Sequence, residues 1–452
     1  MLAVVAAACG DGGSGSDGGA DTDTAVAADT AVVDDTSAVE DAADTANVGG
    51  DDTLEADTTP VVECPTPTGA RPAARAEHAG IYDPDGQRVV LFGGSFGVPQ
   101  NCSAIVAHTY ESDTWIYDIP CNQWHKATGT QPVGRVRHAA AYDSQRHRMI
   151  VWGGRERKGS SGAYTLHPEM LAFDLETETW EQLTISGSAA PRARFNHVMV
   201  YDPDGDRVIV MGGNTSADPL VYSEAKDVWA FSFATGAWTD LTPTSGFQPD
   251  ARFWHAGLWD PTRKWLVIYG GADNGSAFDP QAKYFDDVWA FDTTASPPQW
   301  YQLDSSQTVP DGRFWSGMVY DDAHDRYVMF GGHDDAALGN RNDTWAFDPD
   351  AMTWESLQPE DAFNRPANGF CDFPADFTTV AAGVPERRNA HSLVYGDTCG
   401  RALTFGGKTD CGAINDVWAF DDAGWSNPVV ATEGESCVRW RANPDNCVNL
   451  CF

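Results

Sequence analysis

The chain of 452 residues has no lysine or arginine before Arg71. Residues 10–63 hold fifteen acidic residues and no aromatic one. A segment with one sign of charge and nothing large and apolar to bury cannot offset its chain entropy, so it is expected to be a disordered, self-repelling linker. Positive charge is scarce throughout: 29 Lys and Arg face 66 Asp and Glu, a net charge of −37. Such a surface repels phosphate backbones, so nucleic acid is not an expected partner. No apolar run approaches the ~20 residues of a spanning helix, so no transmembrane helix is expected. The cysteines lack the paired C-x-x-C of a zinc site. P-loop and H-E-x-x-H patterns are absent, and G-x-S-x-G is met only at Gly93–Gly97, within one of the repeated Gly-Gly pairs. No cofactor, no metal and no catalytic residue is therefore assigned.

What the chain does have is a repeat. Arg252 to Trp300 opens with Arg252-Phe253-Trp254-His255 and rises through Trp265-Leu266-Val267-Ile268-Tyr269 into Gly270-Gly271. It continues through Asp287-Val288-Trp289-Ala290-Phe291-Asp292 and closes on Trp300. Short apolar runs between turn residues are the pattern of a small antiparallel sheet. The pattern occurs six times, the second glycine of each pair falling at Gly94, Gly154, Gly213, Gly271, Gly332 and Gly407. The opening Arg-x-x-His recurs at Arg75/His78, Arg135/His138, Arg194/His197, Arg252/His255 and Arg388/His391, and reads Arg313/Ser316 in the fifth copy. The closing tryptophans are Trp124, Trp180, Trp238, Trp300, Trp354 and Trp425. A four-stranded sheet cannot bury both faces alone, so copies pack face to face, and radial closure leaves only short protected edges. The expected fold class is all-β: a six-bladed β-propeller of four-stranded antiparallel blades over residues 64–427. A Cys-containing tail, residues 428–452, follows it. The Glu355–Arg387 insertion carries neither Gly-Gly nor tryptophan and is not a seventh blade. It is expected to cover part of the same end of the ring as the long loops between second and third strands.

These residues resemble the Kelch family, through Gly-Gly, a following aromatic and a tryptophan about a strand later. The resemblance covers roughly Arg75 to Trp425 and implies the propeller; function it leaves open, because one fold hosts many activities. Galactose oxidase is an enzyme with this kind of propeller, but its site needs a Tyr-His pair, and that dipeptide does not occur here. Other Kelch propellers resemble sugar-acid mutarotases, which need only placed Arg, Glu and His. The N-terminus, residues 1–9, ends Ala6-Ala7-Ala8-Cys9 and resembles the tail of a bacterial lipoprotein signal without its basic region. The resemblance implies acylation at Cys9, and the true start is expected further upstream. Localisation in a bacterial cell envelope, on the outer membrane, or secretion follows from it. An export context favours disulfides; Cys64 bonded to the C-terminal tail, or Cys371 to Cys411, are the pairings considered.

Candidate site residues come from departures from the repeat. Trp254 and Trp315 fill the same slot of neighbouring copies, beside Arg252 and Arg313, and adjacent aromatic faces near a channel mouth suit a planar ligand. His333 and Phe370 lie on loops at the same end. The recurrent histidines are expected to be structural, hydrogen-bonded inside each blade, rather than metal ligands. The recurrent acids Asp113, Glu169, Asp227, Asp287, Asp343 and Asp416 are expected to pair with the recurrent arginines. The reading is a monomeric binding module for a protein or glycan. The alternative is a carbohydrate-active propeller enzyme acting at the channel mouth.

Overall fold

The computed structural model describes residues 64–95, 109–157, 162–273, 283–303, 309–334, 339–361, 383–409 and 412–432. The linker, Cys9, Phe370 and the cysteine-containing tail lie outside them.

Six four-stranded antiparallel sheets form, each from one contiguous stretch of chain. Blade 1 comprises Ala79–Asp83, Arg88–Phe92, Thr114–Asp118 and Gln123–Lys126. Blade 2 comprises Ala139–Asp143, Arg148–Trp152, Met170–Asp174 and Thr179–Gln182. Blade 3 comprises Val198–Asp202, Arg207–Met211, Val228–Ser232 and Ala237–Asp240. Blade 4 comprises Ala256–Asp260, Trp265–Tyr269, Val288–Asp292 and Gln299–Gln302. Blade 5 comprises Gly317–Asp321, Arg326–Phe330, Thr344–Asp348 and Thr353–Gln358. Blade 6 comprises Ser392–Gly396, Arg401–Phe405, Val417–Asp421 and Gly424–Val429. The first strand of each blade packs on the first strand of the next, and that of blade 6 returns to blade 1. The ring is therefore closed, with first strands innermost.

Second strands such as Val89–Phe92 and Val208–Met211 are buried on both faces, which explains their unbroken apolar runs. Their residues form the clusters that fill the clefts between blades. Each first strand of blades 1 to 5 ends in a buried aspartate: Asp83, Asp143, Asp202, Asp260 and Asp321. Four of these accept from the arginine opening the second strand, at 2.7–2.8 Å, as Asp83 does from Arg88 and Asp321 from Arg326. Several also accept from a tyrosine of the next blade, as Asp321 does from Tyr395 at 2.7 Å and Asp260 from Tyr327 at 2.7 Å. The lower end of the ring is thus stitched blade to blade by charge-assisted bonds.

Closure between blades 6 and 1 uses no exchanged strand. Backbone bonds run from Arg75 N to Ile414 O and from Glu77 N to Ala390 O. Arg71 reaches the Val430 carbonyl at 2.9 Å, and Asn415 the Pro72 carbonyl at 3.1 Å. Cys64 bonds to Cys121. That corrects the expected link from Cys64 to the tail: the bridge anchors the incoming segment to the outer turn of blade 1. Cys399 is disulfide-bonded as well, and the Cys371–Cys411 pairing falls outside the described residues.

Candidate functional site

The Arg-x-x-His segment does not open the first strand, as the sequence pattern implied; it precedes it, lying across the upper end of the central channel. The third residue of each copy is Glu77, Arg137, Asn196, Trp254, Trp315 or Ala390, and all six have φ between 51° and 63°. Left-handed backbone costs a non-glycine residue about 1 kcal/mol. Here the cost is offset by a closed ring of backbone hydrogen bonds. Arg137 N donates to Glu77 O, Asn196 N to Arg137 O and Trp254 N to Asn196 O. Trp315 N then donates to Trp254 O, Ala390 N to Trp315 O and Glu77 N to Ala390 O, at 2.8–3.1 Å. The collar fixes six backbones identically and leaves six different side chains facing one another.

The arginine that opens each copy supports the collar. Arg252 forks onto Asp287 at 2.6 and 3.0 Å and donates to the Gly270 carbonyl at 3.1 Å. The same acid–base pair forms in every blade: Arg75–Asp113, Arg135–Glu169, Arg194–Asp227, Arg313–Asp343 and Arg388–Asp416, at 2.5–2.7 Å. Burial alone would raise the carboxyls, but the Arg75 bonds hold Asp113 at about 2, and the His167 hydrogen bond with the Arg135 charge holds Glu169 at about 2. Arg252 and Arg313 are at most 1% exposed and are occupied in these pairs. The pairing places them beneath the mouth, away from a ligand, contrary to their placement beside Trp254 and Trp315 from the sequence.

The histidines sit between blades, not inside them. His138 lies on Gly93 and edge-on to Phe92, and His197 on Gly153 and edge-on to Trp152. His78 meets Phe405 in the same way, and His391 meets Phe330. A Cβ on Gly153 would stand 2.5 Å from His197, so the glycine is what makes room for the ring. Neither ring nitrogen of His78, His138, His197, His255 or His391 makes a hydrogen bond of normal geometry, and all are sealed from solvent. The backbone of the preceding second strand is the nearest polar neighbour for His78, His138, His255 and His391. Burial, reinforced by the adjacent arginine, pushes His78 and His255 down to about 3. They are neutral spacers.

The collar encloses a cavity of about 130 Å³, lined by its six residues and by the five histidines and Ser316 that follow them in sequence, the ring nitrogens of the histidines being turned away from solvent. Glu77 is gripped by Arg137 through two bonds of 2.7 and 2.8 Å. Arg137 also lies 4.9 Å from the Trp315 ring centroid, and Trp315 is 4.8 Å from Trp254. Trp254 packs on Phe253, Phe314 and Tyr222. The collar is therefore divided: aromatic over blades 4 and 5, and over blades 1 and 2 an ion pair of Glu77 with Arg137. Of the residues expected from sequence, Trp254 and Trp315 come together here. His333 is buried against Phe314, with its Nδ1 paired to Asn340 at 2.9 Å. Arg137, Arg155, Tyr164 and Tyr222 were missed; the signal was available in the two slots that vary from copy to copy while their neighbours stay fixed. Those slots are the third residue of Arg-x-x-His and the residue after Gly-Gly. Among the described residues no cluster of three His, Cys, Asp or Glu has metal-binding geometry, and no helix is long and apolar enough to cross a membrane.

Comparison with known proteins agrees with this architecture. The model of the KLHDC2/KLHL20/DRC7 Kelch-repeats domain matches residues 52–255, 106–323 and 204–373. The chain is similar to Kelch domain-containing protein 3 of Bos taurus, 25% identical over 303 residues, which span 63% of this chain and 71% of that protein. It is also similar to the flagellar outer-arm dynein alpha chain of Chlamydomonas reinhardtii, 27% identical over 248 residues, 52% of this chain and 5% of the dynein. Among solved structures, that of YjhT shares the fold, with a TM-score of 0.55 and 16% identity over 79% of this chain and 98% of its own. With its repeats, its closed ring and the family model agreeing, the chain belongs to the KLHDC2/KLHL20/DRC7 Kelch-repeats domain family.

Proposed function

We propose that the chain is a recognition module that captures a segment of a partner protein at the divided mouth of the channel. Kelch-repeat propellers are generally protein-interaction modules. The observation that carries the reading is the pairing of an aromatic surface, Trp254 and Trp315, with the Arg137–Glu77 ion pair beside it. Tryptophan and arginine are the residues most often found at the energetic centre of protein interfaces. The cavity of about 130 Å³ is smaller than the ~300–1,000 Å³ of an enclosing small-molecule site; it suits a side chain or chain end better than a whole sugar. General acid–base chemistry would need a group in reach with a free proton site. The five histidine rings are sealed, and Glu77 is tied to Arg137.

The test is a peptide array and a glycan array probed with the full chain, alongside Trp254→Ala and Trp315→Ala. Peptide binding weakened at least about tenfold by either substitution is the expected result. Glycan binding alone, or peptide binding indifferent to both tryptophans, would overturn it. Export, acylation at Cys9, the tethering role of residues 10–63 and a monomeric state belong to the same proposal. Labelling of the full chain by a fatty acid, lost in Cys9→Ser, tests the anchor.

A further inference from the structure

Blade 2 carries two buried arginines that, among the described residues, have no acid in ion-pair contact. Arg155 directly follows Gly153-Gly154, and the short strand Arg155–Glu156 pairs with Thr165–Leu166. That hairpin brings two guanidiniums over one ring: Arg155 lies 3.7 Å and Arg157 5.7 Å from the Tyr164 centroid. Both arginines are buried, at 3% and 7% exposure. Among the described residues neither has a carboxylate partner, and the Nε of each is buried without a hydrogen bond. The comparison within the molecule is sharp. The six repeat arginines, equally buried, all have an acid at 2.5–2.7 Å. So do Arg341 at 2.5 Å and Arg387 at 3.3 Å, near the insertion. In a chain of net charge −37, acids are abundant, yet residues 158–161, next in sequence, are Lys-Gly-Ser-Ser. Burial and the nearby Arg137 work against the charge on Arg155, and Tyr164 and Glu77 offset them only in part, so its pKa stays lowered. Two unpaired guanidiniums held together in a dry site are costly unless an anion joins them.

We propose that Arg155 and Arg157, backed by Arg137, form an oxyanion subsite that takes one carboxylate, phosphate or sulfate group of the ligand. The subsite deepens the recognition reading above and rests on the same mouth: the anionic group seats over blade 2 while the remainder of the ligand lies on Trp254 and Trp315. Stacking on Tyr164 fixes the guanidinium planes, which leaves their forked N–H donors presented without further ordering cost. The low local dielectric strengthens each contact.

The test uses the full chain with sodium acetate, phosphate or sulfate, each titrated against sodium chloride at matched ionic strength and read by calorimetric titration and thermal shift. At least one oxyanion should bind and raise the melting temperature above the chloride control. Acetate acting alone identifies a carboxylate subsite; phosphate and sulfate acting alone identify a tetrahedral one. Arg155→Gln and Arg157→Gln should each weaken that binding about tenfold or more, whereas Arg88→Gln, at the opposite end of the ring, should leave it unchanged. Glu77→Gln releases Arg137 from its only described acid and should tighten it. No oxyanion-specific effect in the unsubstituted chain overturns the proposal without reference to any variant, as does an effect that both arginine variants retain. Anion binding that survives while peptides ignore the tryptophans would sink the recognition reading and leave the subsite standing. Peptide binding that needs the tryptophans but neither arginine does the reverse.

Discussion

Five neutral histidines walled into the blade interfaces make the ring sensitive to mild acid. The unfolded chain binds a proton at each near 6.5; the folded ring resists, with His78 and His255 at about 3 and the others also well below 6.5. A base depressed on folding contributes full stability above 6.5 and loses it as pH falls from there toward its folded value. At pH 5 His78 and His255 have each forfeited about 2 kcal/mol, on the scale of ~1.36 kcal/mol per unit, and the other three act in the same direction. That is a large share of the ~5–15 kcal/mol of a typical domain. The carboxylate pairs titrate later. Asp113 and Glu169 are held at about 2 against ordinary values of 3.8 and 4.5, so their contribution persists until pH falls below about 4.5. Urea unfolding followed by tryptophan fluorescence from pH 7.5 to 5.0 separates the two windows. The expected stability loss between pH 6.5 and 5.0 far exceeds what one or two groups provide. His255→Gln should flatten the slope by about 1.4 kcal/mol per pH unit, whatever it does to stability at neutral pH. A total loss under about 3 kcal/mol over that interval, or signals of these five imidazoles titrating near 6.5 in the folded protein, would refute the account.

Two further outcomes follow from the repeat geometry. Arg252→Lys keeps the charge but loses the fork on Asp287 and the bond to Gly270; it should cost about 1–3 kcal/mol, read as a melting temperature lower by several degrees. Gly153→Ala places a Cβ 2.5 Å from His197 and 2.6 Å from the Arg194 carbonyl at φ 72°. A loss of about 2 kcal/mol or more is expected, whereas Gly187→Ala, whose Cβ meets nothing within 4 Å, should lose less.

Blade number, the second and third strands and the arginine–carboxylate pairs were legible because each is written six times at nearly constant spacing; the start of the first strand was not, since Arg-x-x-His precedes it. Partners across interfaces were not. The spacing of Arg75 to His78 says that the two are close in sequence; it does not say that His78 leans on the Gly406 of another blade. The partner of Cys64 was equally hidden, since which of several cysteines lies opposite depends on where the segment before blade 1 runs. Function-bearing side chains were obscured for a different reason. A period is found by what recurs, and the mouth is built from what does not: Glu77, Arg137, Asn196, Trp254, Trp315 and Ala390 share one backbone conformation, and only the two tryptophans share a side chain. Searching for constancy located the collar; only comparing the variable slot between copies points at its contents. Trp254 and Trp315 stood out because they are large, and Arg155 did not because arginine is common elsewhere in the motif.

The fifth copy shows how far the repeat can be altered without opening the ring. Ser316 replaces histidine there, and the preceding blade ends its second strand with Tyr269. The Tyr269 hydroxyl donates to the Pro310 and Asp311 carbonyls at 3.2 and 3.1 Å. Its ring stacks edge-on to Trp354 and is fully buried. The phenol therefore ties blade 4 to the chain entering blade 5, a task that at other interfaces falls to packing between an imidazole and a second-strand side chain. A phenol is neutral at any pH at which the fold exists, and burial pushes its titration higher still. The 4/5 interface is then the one joint that acid does not load. Amide exchange at pH 5 should open the other five interfaces first and retain protection longest along Ala256–Asp260 and Gly317–Asp321. Uniform loss around the ring would mean that the blades melt as one unit and that the histidines do not set where it begins.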